Sequence, residues 1–110
     1  MADTSSLLYL VEERLGLDPL LGHEVYVPYP VLEEIYALAR RKRAARVALA
    51  LLRALSPFIL AEEGPADSAV LRAALRLRAF VLSGDEELLR EAKRRGVGVA
   101  VFHGRELELL

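Results

Sequence analysis

Only four aspartates occur in the 110 residues, and three of them, Asp3, Asp67 and Asp85, stand where a helix is about to begin. A fourth acid, Glu34, falls in the first turns of a helix that follows the short β-prone stretch EVYV. The steps from 3 to 34, 34 to 67 and 67 to 85 are 31, 33 and 18 residues, each about one strand–helix unit. If the strands are neighbours in a parallel sheet, their tips lie about 5–10 Å apart, and four carboxylates converge on one rim. Such a cluster repels itself unless a cation sits among it. Hard oxygen donors without Cys or nearby His point to Mg²⁺ or Mn²⁺ rather than zinc. Each acid also has a plainer reading as a helix cap, because Asp is a leading N-cap residue and favours the helix dipole. Capping explains any one of them more easily than it explains all four in step.

The elements that must carry these acids can be read from the same string. SSLLYLVEERLGL has its apolar residues on one helical side and stops at Gly16. EVYV (24–27), closed by Pro28, reads as a strand, and Pro30 suits the first turn of the next helix. The stretch from Pro30 to Leu55 is too long for one ordinary helix, so two are expected with a break in ARRKRAA. FILAE is a second strand, a helix starts at about Ala66, and AFVLS (79–83) is a short, continuously apolar strand of the buried parallel kind. Asp85 caps DEELLREAKRR, Gly96 ends that helix, VGVAVF is another strand, and RELELL is a small terminal strand or turn. Strands alternating with helices predict a mostly parallel central sheet with helices on both faces, in one domain spanning 1–110.

Composition narrows the function further. The net charge is −1, so no global basic field marks a nucleic-acid binder and any such role rests on local patches. RRKRAAR supplies one: Arg40, Arg41, Lys42 and Arg43 suit an RNA backbone, or equally a solvated helix junction paired with Glu33 or nearby acids. Cysteine is absent, which removes disulfides, thiol chemistry and zinc–thiolate sites. No apolar run spans a bilayer and no signal-peptide pattern occurs, so a cytoplasmic protein without membrane attachment is expected. Thirteen Arg, twelve Glu and no Asn or Gln suggest a thermophilic source. His23 and His103 read as surface residues, and Tyr26, Tyr29 and Tyr36 as packing residues in preference to base-stacking ones.

Four motifs together resemble a known family: DTSSLL at 3–8, VPYPVLEEIYAL at 27–38, ADSAVLRAA at 66–74 and SGDEELLREAKRRGVGVAVF at 83–102. In this order and spacing they resemble the PIN-domain ribonucleases over nearly the whole chain. The resemblance implies a three-layer α/β/α fold and an RNA-cleaving site in which Asp3, Glu34, Asp67 and Asp85 bind Mg²⁺ or Mn²⁺. Glu34 is chosen over Glu33 because the family's acid directly precedes an apolar residue, here Ile35. Ser5 and Ser83 occupy the family's supporting hydroxyl positions. The resemblance also implies a homodimer, with the outer side of AARVALALLRAL as a plausible patch, and either an RNA-processing role or a toxin role with a small antitoxin partner. The family's full first strand is reduced here to a stub at residues 1–3, which implies weakened activity. A PIN-like scaffold that binds RNA or a protein without cleaving is the alternative.

Overall fold

A computed structural model describes residues 1–110. Helix α1 (Thr4–Glu12) follows directly on the first three residues, and a single 3₁₀ turn (Asp18–Leu20) leads to strand β1 (Tyr26–Pro28). Helices α2 (Tyr29–Ala39) and α3 (Arg43–Leu55) come next, then strand β2 (Phe58–Leu60) and helix α4 (Ala66–Leu77). Strand β3 (Val81–Leu82), helix α5 (Glu86–Arg94), strand β4 (Val99–His103) and strand β5 (Glu106–Leu109) complete the chain.

The strands form two hydrogen-bonded blocks, β1–β2 and β3–β4–β5. β1 with β2 and β3 with β4 are parallel, and only β5 runs antiparallel, on β4. Residues 1–3 lie between the blocks and join them. The Ala2 N–H donates to the Tyr26 carbonyl at 3.0 Å, the Asp3 N–H to the Leu82 carbonyl at 3.2 Å, and the Leu82 N–H to the Met1 carbonyl at 2.7 Å. The spatial order is therefore β5–β4–β3–(1–3)–β1–β2, with the stub at the centre.

Successive residues of a strand face opposite sides of the sheet. Val81 and Leu82 of β3, and Val99 and Ala100 of β4, are all buried, so both faces are covered. On one face Tyr9 of α1 stacks on Phe102 of β4 with ring centroids 4.9 Å apart. Most strands are shorter than their apolar runs: AFVLS yields a two-residue strand and FILAE a three-residue one. A strand needs a ladder as well as a composition, and the parallel ladders of β1 with β2 and of β3 with β4 run for three and two residues. The expected helix break falls at Arg40–Lys42 without Gly or Pro. Lys42 is extended (φ −120°, ψ 121°), and the Arg46 guanidinium reaches back to the Ala39 carbonyl at 2.9 Å, closing the end of α2.

Candidate active site

Asp3 follows the stub and is the N-cap of α1. Its carboxylate accepts from the Ser6 backbone N–H at 2.9 Å, from the Ser5 hydroxyl at 2.9 and 3.0 Å, and from the Ser83 hydroxyl. The two serines also receive. Ser5 Oγ accepts the Gly84 N–H and Ser83 Oγ the Asp85 N–H, both at 2.9 Å. Each hydroxyl thus gives its one proton to Asp3 and takes a backbone proton from the turn after β3. The acid on the stub is tied through its side chain to the turn that carries the next acid.

Asp85 is the N-cap of α5. One oxygen, Oδ1, accepts the N–H groups of Glu87 at 2.9 Å and Leu88 at 3.3 Å. Oδ2 makes no hydrogen bond within the protein, so this carboxylate caps with one oxygen and keeps the other available. Asp67 lies in the first turn of α4, whose N-cap, Pro65, provides no side-chain bond. Glu34 lies in the second turn of α2 and, like Asp67 and Asp85, is exposed.

All four acids line one pocket of about 230 Å³, together with Thr4, Ser5 and Ala66, the only apolar member. Glu33 instead borders a separate groove beside Ile59 and Glu63. None of the four carboxylates forms an ion pair; the chain's salt bridges involve Glu62, Glu91 and Glu108. The pocket is a concentration of negative charge with no Arg, Lys or His paired to any of its acids. Its all-oxygen donor set has the chemistry of a hard divalent-ion site. No three carboxylates converge tightly enough to grip one ion directly as the side chains stand. Mg²⁺ fits such a site, because it keeps several waters and commonly takes only one or two protein carboxylates.

Two further residues, Ser6 buried behind Asp3 and Thr4 in the pocket wall, take places at the site that the sequence did not assign. Ser6 reinforces Asp3 through its backbone N–H, and its hydroxyl donates to the Asp3 carbonyl at 2.8 Å. The signal was its place three residues after an N-cap, where a backbone N–H is always free to be capped. Thr4 Oγ1 is buried at the pocket wall with no hydrogen-bond partner.

The other sequence expectations divide. Arg40, Arg41, Lys42 and Arg43 are exposed at and beyond the C-terminal end of α2, with Arg40 about 9 Å along the helix axis from Glu34. No acid pairs with them, which removes the reading of an ion-paired junction. Tyr26 packs as expected, stacked on Phe58 at 5.0 Å. Tyr29 and Tyr36 do not, being about half exposed at 49% and 51%, because α2 turns that stripe away from the core. Both histidines are on the surface, with His103 Nδ1 3.2 Å from Glu108. The outer side of α3 is less apolar than expected: Val47 is its one exposed large apolar residue, set among Arg43, Arg46 and Arg53.

A parallel α/β sheet bearing an acidic pocket at the carboxyl ends of its strands defines the class. The sequence matches the family described as PIN like domain over residues 3–105, and the chain belongs to that family. Among solved structures, the fold is similar to that of the PIN domain endonuclease Utp24, with a TM-score of 0.76 at 15% identity. The match covers 98% of this chain and 87% of that one. No curated protein matches the sequence. No helix is long and apolar enough to cross a membrane.

Proposed function

We propose that the chain is a divalent-metal-dependent ribonuclease that hydrolyses RNA phosphodiester bonds at the pocket of Asp3, Glu34, Asp67 and Asp85. The observation that carries this reading is that four unpaired carboxylates, from four separate strand–helix units, line one polar pocket. A protein gains no stability from collecting such charges without a counter-ion. The resemblance of the endonuclease Utp24 in fold agrees with it.

Glu34, Asp67 and the free oxygen of Asp85 would hold Mg²⁺ or Mn²⁺, with Asp3 completing the set. When bound, the ion supplies Lewis-acid polarisation of the phosphate and a more acidic water. The chain's own task is placement. Ser5, Ser6 and Ser83 together supply three donors to Asp3, which fixes its carboxylate and leaves about one of its roughly four lone-pair sites open. The cap bonds of Asp85 engage Oδ1 alone and leave Oδ2 without a protein hydrogen bond.

The alternative, a scaffold that binds without cleaving, draws on one observation: the oxygens of Asp3 are already engaged by Ser5, Ser6 and Ser83. Cleavage of single-stranded RNA by the wild type and by Asp85→Asn, with Mn²⁺, Mg²⁺ or EDTA, separates the two. The nuclease reading expects metal-dependent cleavage that falls by about a hundredfold or more in the variant. Equal cleavage by both proteins would overturn it.

A further inference from the structure

We propose that the pocket between α1, α5 and β4 is a base subsite, in which Glu86 reads a guanine of the RNA lying next to the acidic pocket. The inference deepens the nuclease reading and rests on it for the substrate class.

The pocket has a volume of about 250 Å³. That lies below the roughly 300–1,000 Å³ of pockets that take drug-sized ligands, and it suits a single base. It adjoins the acidic pocket: Ser5 lines both, and the consecutive residues Asp85 and Glu86 line one each. A nucleotide whose phosphate lies at the carboxylates therefore has this pocket within reach of its base. One wall is apolar, built from Tyr9 of α1, Leu89 of α5, and Val101 and Phe102 of β4, all partly exposed. Tyr9 is held in place by its stack on Phe102, with the ring planes 6° apart, and by its hydroxyl, which donates to the Gly104 carbonyl at 3.2 Å. Fixed aromatic walls of this kind receive the splayed bases of single-stranded RNA.

The polar side of the pocket decides which base. Every hydroxyl there has already given its proton away. Ser5 and Ser83 donate to the Asp3 carboxylate, Ser6 to the Asp3 carbonyl and Tyr9 to the Gly104 carbonyl. Glu86 is the one charged side chain of the pocket, and no ion pair engages it. An ionised carboxylate accepts hydrogen bonds and donates none. The side chains thus call for a base edge that offers adjacent donors. Guanine has that edge, with its N1–H and N2 amino group side by side against the two carboxylate oxygens. Adenine and cytosine set an acceptor nitrogen beside their amino group, and uracil flanks its one N–H with two carbonyls. Each of those would turn a lone pair toward the negative oxygens. Glu86 also stands in the first turn of α5, where an acid favours the helix dipole. Glu87 meets that need equally, yet it does not line the pocket.

NMR titration of the isotope-labelled chain in EDTA with guanosine, inosine, adenosine or uridine tests the proposal. Roughly millimolar nucleoside suffices, since a site with a Kd near that value is then populated. Guanosine should shift the signals of Glu86 and Tyr9. Inosine, which lacks the N2 amino group, should bind about tenfold more weakly, and adenosine and uridine more weakly still. Glu86→Gln offers one acceptor and one donor, which match the N6 amino group and N1 of adenine. Its preference should therefore pass from guanosine to adenosine by about tenfold, while Glu87→Gln keeps the wild-type order. With Mn²⁺ and RNA of mixed sequence, cuts should fall beside G in the wild type and beside A in Glu86→Gln. Equal binding of the nucleosides, no binding by any of them, or a Glu86→Gln chain that still prefers guanosine would overturn the proposal. The titration uses neither metal nor cleavage. Unselective binding beside metal-dependent cleavage therefore sinks the subsite alone, and guanosine selectivity without cleavage upholds the subsite and sinks the nuclease reading.

Discussion

Ser83 donates its hydroxyl proton to the carboxylate of Asp3, across 80 residues of sequence. It is one of two side-chain bonds crossing between the start of α1 and the turn after β3, the other running from the Gly84 N–H to Ser5 Oγ. Ser83→Ala removes a donor from a buried carboxylate and an acceptor from the Asp85 N–H. A loss of about 1–3 kcal/mol in urea unfolding is expected. RNA cleavage should fall further than stability alone explains, and Ser83→Thr, which keeps the hydroxyl, should recover part of it.

Metal binding can be followed without turnover. If the acidic pocket holds Mn²⁺ only in the folded state, an excess of a hundred times Kd stabilises the protein by about 2.7 kcal/mol. A thermal melt should therefore move upward by several degrees in the wild type. Asp67→Asn removes one candidate ligand from an exposed position, so its metal-free melt should stay close to wild type while the Mn²⁺ response shrinks or disappears. An undiminished response would place the ion elsewhere.

The α-amino group of Met1 gives a second handle. It donates to the Phe80 carbonyl at 2.7 Å in a largely buried position. Burial lowers its pKa from 8.0 to about 6, with the Asp3 charge partly countering the shift. The unfolded chain therefore binds more protons than the folded one between about pH 6 and 8, and stability rises with pH across that window. The gain is on the order of 2–3 kcal/mol, complete above pH 8 and lost as pH falls through 6. Urea unfolding at pH 5.5, 7 and 8.5 should show the rise; a flat profile would argue against the buried amine.

At the acidic end a different group acts. Glu62, in the loop between β2 and α4, is nearly covered, and its carboxylate accepts from Arg76 and from Arg72, the latter at 3.2 Å. The Arg76 hydrogen bond, then that of Arg72, holds its pKa below the ordinary 4.5. A lowered carboxyl pKa stabilises the fold above the unfolded value, and the contribution is lost as pH falls through the folded one. Glu62→Gln keeps the shape and removes the charge. It should be less stable than wild type at pH 7, with the difference narrowing below about pH 4 as the wild-type carboxyl protonates.

Much of this could be read in the sequence, because local rules governed it. α4 begins at Ala66, Asp85 caps α5, and Gly96 closes it at φ +77° as a helix-ending glycine should. The spacing of Asp3, Glu34, Asp67 and Asp85 reflected strand–helix units of the expected length, and the fold brings all four to one pocket. What the sequence hid depended on distant partners. Glu62 lies 10 and 14 residues from the arginines that hold it, a separation no local pattern marks. The outward turn of Tyr29 and Tyr36 depends on which stripe of α2 the core occupies. β1 and β3 are short because their ladders with β2 and β4 run for three and two residues, which is a property of the pairing and not of either strand.

That central placement of residues 1–3 has a consequence for synthesis. They leave the ribosome about eighty residues ahead of Leu82, the group they must bond to on one side, and some twenty-five ahead of Tyr26 on the other. The link between the two strand blocks therefore cannot close until β3 has emerged, whatever helices have formed by then. A nascent chain arrested before β3 would carry Asp3, Glu34 and Asp67 but have no Ser83 to anchor the first of them. The acidic pocket is thus completed late in translation, and any activity it confers should be absent from the incomplete product.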